Sequence, residues 1–206
     1  MISPTFLLMT DDLLYQVALT MIPNIGDVHA KALVNQYGDA RSIFSAKKKD
    51  LENMEGIGSV RAGSIKSFSN FQRSESEIKF IEKYKITPLF LTDKNYPQRL
   101  LHCYDSPVLL YYRGNANLNH AKIISIVGTR NYSDYGKSIC EKLLEELQEE
   151  NIIVISGLAF GIDTIAHKAA LKNNLPTVGV LAHGLDRIYP IQNKTLAKKT
   201  LAIQQH

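Results

Sequence analysis

Towards the C-terminus the chain carries an alternation that few folds accept. Three apolar runs, IISIVG (123–128), IIVISG (152–157) and PTVGVLAHG (176–184), read as buried strands. Between the first two, residues 134–150 repeat Ile139, Leu143, Leu144 and Leu147 at helical spacing, with acidic residues on the other face. Residues 161–172 form a second helical pattern. Strand, helix, strand, helix, strand with short connections predicts a parallel, doubly wound α/β sheet. Ligands of such sheets sit beyond the carboxyl ends of the strands. This chain places Gly128-Thr129-Arg130, Ser156-Gly157 and Ala182-His183-Gly184 there.

The first of these turns, SIVGTRNYSDYG, begins like a dinucleotide-binding loop and then departs from it. A second glycine is needed two residues after Gly128, so that a pyrophosphate can approach the backbone; Arg130 stands there. An acidic residue should close the second strand to hold ribose hydroxyls, and Ser156-Gly157 closes it instead. Both requirements for NAD or FAD fail. What remains is a rim of glycines, small hydroxyls and cations, suited to phosphate held by backbone N–H groups, a helix N-terminus and the Arg130 fork.

The N-terminal part contains a repeat. NIGDVHAKAL (24–33) aligns with GIGSVRAGSI (56–65), matching the Ile-Gly pair, the Val and the Ala beyond it. Each copy has an apolar lead-in, a glycine turn, and an N-cap candidate, Asp27 or Ser59, opening a short helix. This resembles the helix-hairpin-helix element in tandem. Two readings stay open: a phosphate site built from turn amides, with Lys31 and Arg61 adding charge, or a packing module that touches no DNA. Asn24 replaces the usual glycine in the first copy, where it still tolerates the left-handed backbone. Phe68, Phe71, Ile78 and Ile81 then predict a helix, and strands are expected at 87–91 and in VLLYYRG (108–114).

Charge placement supports an anionic partner. Residues 151–206 hold six Lys or Arg against two acidic residues, and residues 31–73 hold eight against four. Cys103 and Cys140 lie far apart with no metal-type spacing, which argues against zinc and disulfides and fits a reducing cytoplasm. The N-terminus lacks a basic region before its apolar stretch, so it does not read as a signal peptide, and no apolar run reaches the ~20 residues of a membrane span. Asp163 reads as a helix-orienting residue and His167 as a packed or hydrogen-bonding one, not a metal ligand. Tyr132 and Tyr135 suit either base stacking or packing.

SIVGTRNYSDYG, VISGLAFGIDTIAHKAAL and GVLAHGLDRIYPIQNKTLAKK, in that order and spacing, resemble the extended Rossmann-like domain of the DNA-processing protein A (DprA, or Smf) family. LFLTDKNYPQRLLHCYDSPVLLYYRGN resembles that family's lead-in segment, and the tandem hairpin its N-terminal domain. The resemblance implies a helix-hairpin-helix domain over residues 1–80 and a Rossmann-like domain with its lead-in over 81–206. It implies a cytoplasmic protein that binds and protects incoming single-stranded DNA and loads a RecA-type recombinase in natural transformation, with self-association, and without a catalytic residue, metal or cofactor. By motif position, Gly128, Arg130, Ser156, Gly157, Gly161, Asn193 and Lys194 are the expected DNA-binding residues. Family chains continue past LAIQQH, so the resemblance also implies a C-terminally truncated sheet with an open edge. The alternative, a Rossmann-like enzyme that releases bases from nucleoside monophosphates, needs a Pro-Gly-Gly loop followed by a glutamate, and this sequence has no Pro-Gly-Gly.

Overall fold

The computed structural model describes residues 4–203, with side chains from 12 to 201. Gln204–His206, the end of LAIQQH, lie outside the described residues. The chain divides into two compact units, residues 1–112 and 113–206.

The first unit opens with helices α1 (Pro4–Leu19), α2 (Asp27–Tyr37), α3 (Ala40–Ser45), α4 (Lys48–Glu52), α5 (Gly58–Ser67) and α6 (Phe71–Lys83). Val17, Leu19, Leu33, Ile43, Leu51, Ile57 and Ile65 are buried in its core. The rings of Tyr15, Phe44, Phe68 and Phe71 close one end, with centroids 5.3 to 5.9 Å apart in mostly tilted or edge-on pairs. The two repeats form the α1–α2 and α4–α5 hairpins. Asn24 holds its turn at φ 65°, the left-handed conformation its short amide tolerates.

The cations of this repeat are committed to the protein itself. Lys31 Nζ donates to the Leu101 and Cys103 carbonyls at 2.8 and 2.7 Å and to Ser106 Oγ at 3.0 Å. Arg61 joins the two turns, donating to Asn24 O and Gly56 O, each at 3.1 Å. The expected N-caps are not caps. Asp27 and Ser59 lie inside helices that follow Gly26 and Ile57. Asp27 Oδ1 instead accepts from the Val108 N–H at 3.2 Å, a partner far along the chain.

These contacts fasten the lead-in segment to α2. Strands β1 (Thr87–Phe90) and β2 (Leu109–Tyr112) pair antiparallel, Thr87 opposite Tyr112, with the short helix α7 (Gln98–Leu101) between them. Tyr96 is fully buried and donates its hydroxyl to the Pro107 carbonyl at 2.6 Å. The lead-in therefore lies within the first unit, whereas the boundary expected from sequence after residue 80 grouped it with the parallel sheet.

The second unit contains β3 (Ile123–Ser125), α8 (Asp134–Glu146), β4 (Ile153–Ser156), α9 (Ile162–Lys172), β5 (Thr177–Gly179) and, after a 3-10 turn at Ile191–Asn193, α10 (Lys194–Ile203). The strands are parallel in the order β3-β4-β5. Both crossovers step the same way, so right-handed connections put α8 and α9 on one face. There Cys140, Leu144, Val154, Ile165, Ala166, Ala169 and Ala170 form the core. The helical stripe read from the sequence is displaced on α8: Cys140 and Leu144 point inward, while Ile139 and Leu143 are 48% and 38% exposed.

Candidate nucleic-acid interface

The carboxyl ends of β3 and β4 are locked together by small residues and backbone contacts. Ile126 N donates to Ile155 O at 2.9 Å, extending the ladder past β3. Ser156, 2% exposed, donates its hydroxyl to Ile126 O at 2.7 Å, bracing the two strand ends. The chain then turns through Gly128-Thr129-Arg130, and this turn lies against the start of α9. A Cβ on Gly128 would stand 2.6 Å from Ile162 Cβ. Gly161 has φ 86°, and a Cβ there would come within 2.0 Å of Thr129 O and 2.5 Å of Arg130 Cα. Only glycine fits both that backbone and that contact. Ile162 N completes the join by donating to Thr129 O at 3.1 Å.

Arg130 is thereby held where the turn meets the amino end of α9. It is exposed and makes no hydrogen bond or ion pair among the described residues. Ser133 caps α8 by accepting from Gly136 N at 3.1 Å. Tyr132 and Tyr135, flanking that cap, are 46% and 77% exposed, so Tyr135 in particular presents most of its surface to solvent.

Behind the rim, buried side chains take the carbonyls of the loop between β4 and α9. His167 lies on the inward face of α9, with Nε2 2.6 Å from Gly157 O and Nδ1 2.7 Å from Thr177 Oγ1. Burial pushes its pKa below the ordinary imidazole value, so the ring is neutral and its single N–H serves the carbonyl, which can only accept. Asn193 Nδ2 donates to Leu158 O at 2.8 Å, to Thr164 Oγ1 at 2.9 Å and to Ala159 O at 3.3 Å. Thr164 Oγ1 donates to Ala159 O at 2.7 Å. Asp163 stands behind Gly157, and its Oδ1 is buried without a hydrogen-bond partner among the described residues.

The residues singled out from the sequence thus fall into two groups. Gly128, Arg130, Gly157 and Gly161 meet at the turn and the start of α9. Ser156 and Asn193 lie just beneath, buried, with their side chains on main-chain carbonyls. Lys194 is exposed at the first position of α10, next to the anchored Asn193. His167 and Thr164 were not among the expected site residues. The available signal was the i, i+4 spacing of Asp163 and His167, which puts two polar groups on one buried helix face.

Among the described residues no helix is long and apolar enough to cross a membrane. Comparison with known proteins identifies the architecture. The model of the helix-hairpin-helix motif matches residues 16–78, and that of DNA recombination-mediator protein A matches residues 87–205. The chain is 43% identical over 174 residues to the DNA processing protein DprA of Streptococcus pneumoniae, covering 75% of this chain and 61% of that one. It is 32% identical over 197 residues to the protein Smf of Synechocystis, covering 91% of this chain and 48% of that one. The X-ray structure of the Streptococcus pneumoniae protein superposes with a TM-score of 0.65 at 28% identity, over 90% of this chain and 63% of its own. This chain therefore spans about half to three-fifths of the length of these relatives. From a helix-hairpin-helix region to a parallel sheet with a glycine-arginine turn, the chain belongs to the DNA recombination-mediator protein A family, the DprA/Smf proteins.

Proposed function

We propose that this chain binds single-stranded DNA at the Arg130 turn, shielding it and passing it to a RecA-type recombinase, as a cytoplasmic binding protein with no catalytic residue. One observation carries the reading: Gly161 lets the Arg130 turn sit directly on the amino end of α9, where Ile162 N is joined to Thr129 O, and this sets an unpaired fork donor at the positive end of the helix. Such an array recognises phosphate and sugar without reading base edges. The exposed rings of Tyr132 and Tyr135 supply π faces on which unpaired bases stack, an option closed to bases held inside a duplex. Gly128, Gly157 and Gly161 give the backbone its close approach. Arg130 and Lys194 supply the charge, while Ser156 and Asn193 brace the rim. Self-association belongs to the same reading through the family. Nothing in the site favours a nucleoside-monophosphate hydrolase.

The test is a titration at one fixed salt concentration with oligo-dT, a duplex of equal length, and a nucleoside monophosphate. The expected order is single strand well above duplex, with the mononucleotide weakest. Arg130→Ala should weaken oligo-dT binding about ten-fold or more, the worth of a charge-assisted contact, and Arg130→Lys should recover part of it. Equal affinity for duplex and single strand, or wild-type binding by Arg130→Ala, would remove the reading.

A further inference from the structure

We propose that Asn193, Thr164 and His167 are positioning residues that aim a row of backbone amides at a phosphate of the bound strand, a role that rests on the single-strand reading above. Three successive carbonyls of the β4–α9 loop are each held from within. Gly157 O lies on His167 Nε2, Leu158 O on Asn193 Nδ2, and Ala159 O on both Thr164 Oγ1 and Asn193 Nδ2. In a trans peptide the N–H points opposite to the C=O across the planar unit. With these carbonyls drawn inward, the N–H groups of Leu158, Ala159 and Phe160 face away from the three side chains. None of the three donates to a backbone carbonyl among the described residues.

Two of the anchors are shut off from solvent. His167 is fully buried and Asn193 is 5% exposed. Asp163 sharpens the requirement. Its carboxylate lies behind Gly157, where a Cβ would meet Oδ2 at 2.4 Å. A carboxylate so close to the loop offers nothing to an incoming anion, so the aim of the amides matters beside the charge that Arg130 and Lys194 bring. Asn193, the residue before the exposed Lys194, also ties the loop to the start of α10.

The experiment is a titration of the ¹⁵N-labelled chain, first with inorganic phosphate and then with oligo-dT, following the amide signals of Leu158, Ala159 and Phe160. In the wild type all three move with both probes. Asn193→Asp replaces a donor by an acceptor facing two carbonyls. It is expected to weaken oligo-dT binding about ten-fold and to abolish the three shifts while the remaining spectrum holds. Should that variant fail to fold, Thr164→Val and Thr164→Ser supply the contrast: Val loses the shifts and several-fold of the affinity, and Ser keeps both. Wild-type affinity and shifts in Asn193→Asp and Thr164→Val, beside a loss in Arg130→Ala, would overturn the positioning role and leave the strand reading standing. If the wild type binds no oligonucleotide, the strand reading fails and the phosphate arm still decides. Amides that move under phosphate in the wild type but not in the variants support the positioning role, and amides that stay still overturn it.

Discussion

Lys31 and Arg130 occupy similar places in the sequence, each a cation a few residues after a glycine turn. In the folded chain they do opposite things. Lys31 is surrounded by three oxygens of its own chain at 2.7 to 3.0 Å. Arg130 is exposed, with its backbone fixed and its guanidinium free of partners among the described residues. An ammonium already ringed by carbonyls gains little from a phosphate, because it would have to leave acceptors as good as the new one. Lys31 and Arg61 thus serve the packing of the repeat, whereas Arg130 beside its glycine turn is open to a ligand.

Three substitutions break or sharpen that contrast. The largest effect is expected from Gly161→Ala. A left-handed φ and a clash with backbone atoms at Thr129 and Arg130 should destabilise the second unit by about 3 kcal/mol in denaturant melts and displace Arg130 from its place. Normal stability and strand binding in this variant would show that the turn and α9 are not locked together. Next comes Lys31→Met, which leaves two carbonyls and a serine hydroxyl without their donor. The first unit should lose about 2 kcal/mol while oligo-dT affinity stays at the wild-type value. Arg130→Ala should do the reverse, weakening the strand and sparing the melt. A loss of strand affinity in Lys31→Met would erase the distinction between the two cations.

The smallest effect concerns His167. Its folded pKa is lowered by burial, so as pH falls the unfolded chain takes up the proton first. Stability from this group is full above about pH 6.5 and is lost as pH drops below it, levelling off beneath the folded pKa, with a slope of at most about 1.4 kcal/mol per pH unit. Urea melts of the second unit between pH 7 and pH 5 should show this slope, and His167→Gln should flatten it. An equal slope in both proteins would assign the acid sensitivity elsewhere.

Much of this architecture was legible from local pattern. The three apolar runs announced a parallel sheet because buried strands have no polar face to alternate, and the paired Ile-Gly turns announced two hairpins. Gly128 could be placed just past the end of β3 because strand ends are readable. The fate of individual polar side chains was not. The acceptors of Lys31 lie 70 to 75 residues away, and Asn193 reaches back 35 residues to Leu158, distances at which periodicity carries no information. The roles of Ser156 and Asn193 changed for the same reason, since burial among carbonyls is set by tertiary packing. On α8 the apolar residues outnumber those that one helical face can bury, so spacing alone could not tell Cys140 from Ile139.

The clasp between α2 and the lead-in segment bears on how such a chain is inherited. Family likeness to the mediator begins at residue 87, yet the physical division falls after Tyr112. Asp27 and Lys31, one turn apart at the front of α2, hold residues 101–108. A gene exchange that moved only the helical repeat would deliver an aspartate and a lysine stripped of their partners. One that moved only the segment from residue 87 onward would deliver β1 and β2 with nothing to grip them. Shuffling at the seam that homology suggests would thus cost both fragments.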